Sequence, residues 1–104
     1  MKEKLIVFIS QPMLGRTDEE VLAERDEAIK VVKAKYPDKE IEVLETYFQE
    51  EKPDYANDLY YLANSLVKMA TAHLVVFVSK WENARGCIVE HICAEKYNIP
   101  YFEI

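Results

Sequence analysis

Gly86 and Glu90, set in Arg85-Gly86-Cys87-Ile88-Val89-Glu90, are the pair in this chain best placed to do chemistry. A buried-strand pattern, Leu74-Val75-Val76-Phe77-Val78, runs into Ser79-Lys80-Trp81-Glu82-Asn83-Ala84, and an amphipathic segment then reaches about Tyr97. That is strand, loop and helix, with a glycine at the loop-to-helix join. A helix N-terminus presents unpaired N–H groups and the positive end of the dipole, so such a join suits an anionic or hydroxyl-rich ligand. Glu90 follows Gly86 by one turn, about 40° round the helix. On the same wheel Val89, Ile92 and Cys93 centre the apolar face, which puts Glu90 on its edge. Two readings stand side by side. Glu90 is a rim carboxylate that reaches solvent, or it is a partly desolvated carboxylate over the C-terminal end of a sheet, where open α/β folds bind ligands.

The second candidate loop is Ser10-Gln11-Pro12-Met13-Leu14-Gly15-Arg16-Thr17. It reads as plain turn chemistry with a solvated Arg16, or as an anion site. A cation at a helix start opposes the dipole and wants a reason. A phosphate held by Arg16, the Gly15 and Arg16 amides and the Thr17 hydroxyl supplies one, although the Walker spacing is missing. Cys87, His91 and Glu95 stand at i, i+4, i+8, but the wheel puts them on the outer face, so neither a metal site nor a Cys–His nucleophile is expected there. No cofactor is implied. Tyr47, Phe48, Tyr55, Tyr60, Tyr61 and Trp81 crowd one end of the domain, as core or subunit interface, or in part as platforms for a planar base.

The elements that must carry these loops follow from periodicity. Leu5-Ile6-Val7-Phe8-Ile9 is a continuous apolar run, as in a parallel strand covered on both faces. Thr17 with Glu20 is a capping box opening a helix through Val21, Leu22, Arg25, Ala28, Ile29, Val32 and Tyr36, stopped by Pro37. Ile41, Val43 and Leu44 form a second strand ending near Thr46, and residues 47–57 form a polar, aromatic loop. Leu59, Leu62, Ala63, Leu66 and Ala70 keep helical spacing. After the third helix, Asn98-Ile99-Pro100 precedes a short strand, Tyr101-Phe102-Glu103-Ile104. The order βαβαβαβ predicts an α/β fold: a four-stranded parallel sheet, order 2-1-3-4, with helices on both faces. It is a small flavodoxin-like three-layer sandwich. Its switch point lies between strands 1 and 3, and the two loops lining that crevice carry both glycines of the chain.

At 104 residues the chain reads as a single domain, 1–104, with one modest core. A net charge of −6 argues against a nucleic-acid polymer as partner but leaves a mononucleotide open. No apolar run approaches the roughly 20 residues of a membrane span, and Met1-Lys2-Glu3-Lys4 does not read as a secretory signal. Cys87 and Cys93 lie about 240° apart on one predicted helix; two unpaired thiols fit a cytoplasmic protein. The second helix carries Tyr60 and Tyr61 beside its apolar stripe, with Met69 further along. That is more apolar circumference than one sheet face covers, and it predicts a homodimer or larger assembly.

Taken together, Ile9-Ser10-Gln11-Pro12-Met13-x-Gly15-Arg16-Thr17 and Trp81-Glu82-Asn83-x-Arg85-Gly86-x-x-x-Glu90-His91 resemble the short members of the nucleoside 2-deoxyribosyltransferase-like superfamily, over essentially the whole chain. The resemblance implies cleavage or transfer at the N-glycosidic bond of a (deoxy)nucleoside or nucleoside 5′-monophosphate, with Glu90 as nucleophile. It implies substrate contacts from Ser10, Gln11, Pro12, Met13, Gly15, Arg16, Thr17, Trp81, Asn83, Arg85 and Gly86. It also matches Gly15 and Arg16 to a loop that holds a 5′-phosphate, so monophosphates are expected to be preferred. The chain departs from the family at Arg85, where relatives usually have serine or glycine, and at His73, where many have aspartate. The family's acid on the second helix has no clear counterpart; Asn64, Ser65 and Asp58 stand nearest. A non-catalytic nucleotide-binding module is the contrasting expectation.

Overall fold

The apolar run around Val7 forms the strand β1 (Glu3–Ser10), and its alternate side chains supply both halves of the core. A computed structural model describes residues 2–46 and 51–104. In chain order β1 is followed by α1 (Asp18–Lys35), β2 (Lys39–Val43), α2 (Leu59–Met69), β3 (Leu74–Phe77), a one-turn 3₁₀ helix (Trp81–Asn83), α3 (Arg85–Lys96) and β4 (Tyr101–Glu103). The sheet is parallel throughout, in the order β2-β1-β3-β4. Val7 pairs with Val43 on one side and Leu74 on the other, and Ser10 pairs with Phe77. The protein is therefore α/β with the expected flavodoxin-like strand order.

Pleating sends successive side chains to opposite faces. Val7, Ile9, Leu74, Val76 and Val78 meet Ala28 and Val32 of α1 on one face. Phe8, Val75 and Phe77 meet Met69 of α2 and Ala94 of α3 on the other. The Thr17–Glu20 capping box is formed, the Glu20 amide donating to Thr17 Oγ1 at 3.1 Å and the Thr17 amide to Glu20 Oε1 at 3.2 Å. Arg25, read as a member of the apolar stripe, is buried and bonds the end of β2: Nη2 donates to the Leu44 carbonyl at 2.6 Å and Nη1 to Thr46 Oγ1 at 3.3 Å. His73 stands before β3, where its amide donates to the Ile6 carbonyl at 2.8 Å and its Nδ1 accepts from the Ile6 amide at 2.9 Å. His73 thus closes a structural bond at the end of the sheet away from the loops.

Two expectations are corrected. The inward face of α3 is Cys87, Glu90 and Ala94, with Val89 and Cys93 half-buried and Ile88 and Ile92 exposed. The helix is thus turned by about 140° from the wheel centred on Val89, Ile92 and Cys93. Cys87 and His91 consequently lie inside rather than on the outer face, and only Glu95 of that trio is exposed. Met69 is also internal, packed on Phe8 and Val75, and is not part of an outward stripe on α2. Among the described residues no helix is long and apolar enough to cross a membrane.

Candidate functional site

β1 and β3 end side by side, and the residue that closes β1, Ser10, is level with Phe77. Its side chain follows Phe8 toward the face that α3 covers. There Ser10 Oγ donates to Glu90 Oε1 at 2.6 Å. Glu90 is 7% exposed, so of the two readings the desolvated one describes it. Burial lifts its carboxyl from 4.5 to about 7, and the Ser10 hydrogen bond partly opposes that rise. The group is therefore divided between acid and carboxylate at neutral pH. Oε2 takes no hydrogen bond from the described residues and is not sealed from solvent. One oxygen is anchored and the other free, as a nucleophile or a proton-transfer group requires.

Cys87 lies on the same inward face. Burial pushes its thiol up to about 11, against a hydrogen bond with Ser10, and nearby Glu90 adds to the rise. The thiol stays protonated at neutral pH, which removes it as a nucleophile for a reason different from the expected one, exposure. Cys87 and Cys93 are both free thiols.

α3 begins without a side-chain cap. Its N-cap residue is Ala84, and its first turn holds no acid. The amide groups at this helix start are therefore left to water or a ligand. Gly86 is half-buried there; among the described residues a Cβ on it would meet only Leu62 Cδ1, at 4.0 Å. The fold itself does not require glycine at this position, whereas Gly15 has φ +77° and does. Arg85 projects into solvent with Nη2 3.5 Å from Asp58 of the α2 cap. Asn83 is exposed.

Trp81 is held elsewhere. Its indole stacks on His91 at 4.0 Å and 6°, packs against Phe77, and donates from Nε1 to Glu103 at 2.9 Å. His91 sits in turn between Phe77 and Tyr101, its Nδ1 2.9 Å from Glu95. Trp81 and His91 thus fasten the 3₁₀ turn to α3 and β4, a role sequence reasoning missed because it placed His91 outside. Tyr60 and Tyr61 are half-buried and meet edge to face, Tyr61 accepting from the Lys52 amide, and Tyr55 is exposed. Tyr47 and Phe48 lie outside the described residues.

The first loop folds back on α1. Gln11 turns to the α1 side, where Nε2 donates to the Val21 carbonyl at 3.1 Å and to Glu24 Oε1 at 3.2 Å. Arg16 Nη1 donates to the same Glu24 oxygen at 2.6 Å and to the Pro12 carbonyl at 3.0 Å. The Arg16 amide donates to Met13, and the Thr17 amide and hydroxyl both donate to Glu20. Glu24 is the partner that sequence reasoning missed; Arg16 lies outside the helix, so no helical spacing connects the two. The structure therefore joins Ser10 to Glu90, joins Gln11 and Arg16 through Glu24 and Pro12 to Arg16, and leaves Trp81, Asn83 and Arg85 as separate features of the second loop.

No protein-family model, curated protein or solved structure matches this chain. Its function has to be argued from the site.

Proposed function

We propose that the protein acts on the N-glycosidic bond of a (deoxy)nucleoside or its 5′-monophosphate, with Glu90 as nucleophile, as the resemblance to the nucleoside 2-deoxyribosyltransferase-like superfamily implies. The observation that carries the reading is the buried Glu90 carboxyl, anchored by Ser10 on one oxygen beneath the uncapped start of α3. Ionised Glu90 attacks C1′ as the C1′–N bond breaks, and the bonding pair leaves on the base, which takes a proton from water or another group. Water or a second base then attacks C1′, the ester bond to Glu90 breaks, and the carboxylate is restored. This is the double displacement of retaining glycosidases applied to an N-glycoside. The Ser10 hydrogen bond orients the carboxylate, and a pKa of about 7 leaves enough of it ionised at neutral pH. The Gly86 amide face suits a sugar oxygen. The substrate needs no cofactor for this chemistry, and the free thiols fit a cytoplasmic setting.

One observation favours a binding module that does not turn over. Among the described residues no second carboxylate shifts the titration of Glu90, and Asp58 is drawn toward Arg85. Release of free base from a panel of nucleosides, deoxynucleosides and monophosphates separates the two. The enzyme releases base, and Glu90→Gln slows release by about a thousandfold or more, as for loss of a covalent nucleophile. Binding without release by the wild type would establish the module.

A further inference from the structure

Several of the groups that a phosphate would use in the first loop are already bonded. Arg16 Nη1 is held by Glu24 and Pro12, the Arg16 amide by Met13, and the Thr17 amide and hydroxyl by Glu20. The Arg16–Glu24 pair is half-buried at 2.6 Å and raises the Arg16 guanidinium above its ordinary value. A phosphate dianion arriving here meets a guanidinium whose charge is already paired, with the Glu24 carboxylate beside it. Asp18, Glu19 and Glu20 add negative charge in the first turn of α1. Like charges brought together at a partly desolvated site repel strongly.

A sugar hydroxyl faces none of this, because it both donates and accepts. It can give its proton to the second Glu24 oxygen, which has no partner among the described residues, and take a hydrogen bond from Arg16 without separating the pair. Gln11 points the same way. Its Nε2 is spent on Val21 and Glu24, while its Oε1 is buried with no donor among the described residues, so a ligand group that came to meet it would have to donate, as a hydroxyl does and a phosphate dianion does not.

We infer that Glu24 is a specificity-determining residue: by holding Arg16 it makes the first loop a subsite for a free sugar hydroxyl and against a 5′-phosphate, so that the substrate is the nucleoside. This rests on the reading of the Glu90 pocket as a (deoxy)ribosyl site, and it reverses the preference that Gly15 and Arg16 alone suggest. Binding of a deoxynucleoside and of its 5′-monophosphate to the wild type, Glu24→Gln and Glu24→Ala tests it by calorimetry. The wild type binds the nucleoside about tenfold or more tighter, and removing the carboxylate charge moves the ratio toward the monophosphate by about tenfold. A wild type that prefers the monophosphate overturns the inference and leaves the Glu90 reading standing. A ratio that is the same in the wild type and the folded variants does so too. Binding of neither ligand to the wild type overturns both. Should neither variant fold, the wild-type preference decides alone.

Discussion

Glu90 is an ionisable group buried beside a hydroxyl, and that has a cost that can be measured. Its carboxyl is raised from 4.5 to about 7 in the folded protein. Below pH 4.5 both folded and unfolded chains hold the proton, and folding is indifferent to pH through this group. As pH rises toward 7 the unfolded chain ionises first, so stability falls, by about 3 kcal/mol once both states are ionised. Glu90→Gln lacks this titration. Urea denaturation at pH 4.5 and pH 8 should show the wild type losing about that much relative to the variant. A gap that does not change with pH would mean that Glu90 is solvated in solution. Gly86 offers the complementary test, since among the described residues its Cβ would meet only Leu62 Cδ1, at an ordinary 4.0 Å. Gly86→Ala should be as stable as the wild type or better by about 0.5–1 kcal/mol, from helix propensity and a less flexible unfolded chain. Base release should nevertheless slow by about tenfold or more if a substrate lies against that amide face. Unchanged turnover would free the face of any such role.

At the scale of elements, the site depends on two fastenings made by residues away from it. Arg25 joins α1 to the end of β2, with 7% of its surface exposed and, among the described residues, no carboxylate in ion-pair contact. Two opposing effects decide its value: desolvation of the cation costs stability, and the bond to the Leu44 carbonyl returns it. Arg25→Met keeps the volume and the apolar stem but orphans the carbonyl, so it should destabilise by about 1–3 kcal/mol. A more stable variant would show that the buried charge outweighs its bonds. The second fastening is the Trp81–His91 stack, which ties the 3₁₀ turn to the covered side of α3. It explains why α3 turns its small and polar residues inward: Cys87, Glu90 and Ala94 leave room for Ser10 and Phe77, and the bulkier Ile88 and Ile92 point out.

For the whole molecule that rotation leaves apolar surface uncovered on one side of the sheet. Leu59 and Val67 of α2 are 63% and 69% exposed, with Ala63 and Ala70 between and beyond them, and Ile88 and Ile92 lie exposed on α3. Such a stripe is what an isologous helix contact would bury. We therefore expect a homodimer through α2, and light scattering should give at least twice the chain mass. Leu59→Glu with Val67→Glu should yield a folded monomer. Met69, which faces the core, would unfold the chain if charged and is the wrong residue for this test. A wild type that is monomeric at micromolar concentration, or a double variant that still assembles, would refute the interface.

The strand order, the helices and the placing of both glycine loops at one end of the sheet were legible in the sequence. They rest on local causes: continuous β-branched runs, the Thr17–Glu20 box, Pro37 as a stop, and the right-handedness of parallel crossovers. That the loop after β1 and the helix carrying Glu90 stand side by side was legible too, because topology alone brings the ends of β1 and β3 together. What only the tertiary structure decided is how each side chain is turned and what it meets. α3 has little apolar contrast between its faces, so its rotation was set by fit against Phe77, Ser10 and Trp81, which no wheel contains. For the same reason Arg16 found Glu24, a partner across a loop, and a carboxyl readable as a rim group became a buried one near pH 7. Local sequence sets backbone path through short-range sterics; side-chain environment is settled by contacts between residues far apart in the chain, here up to the 80 positions that separate Ser10 from Glu90.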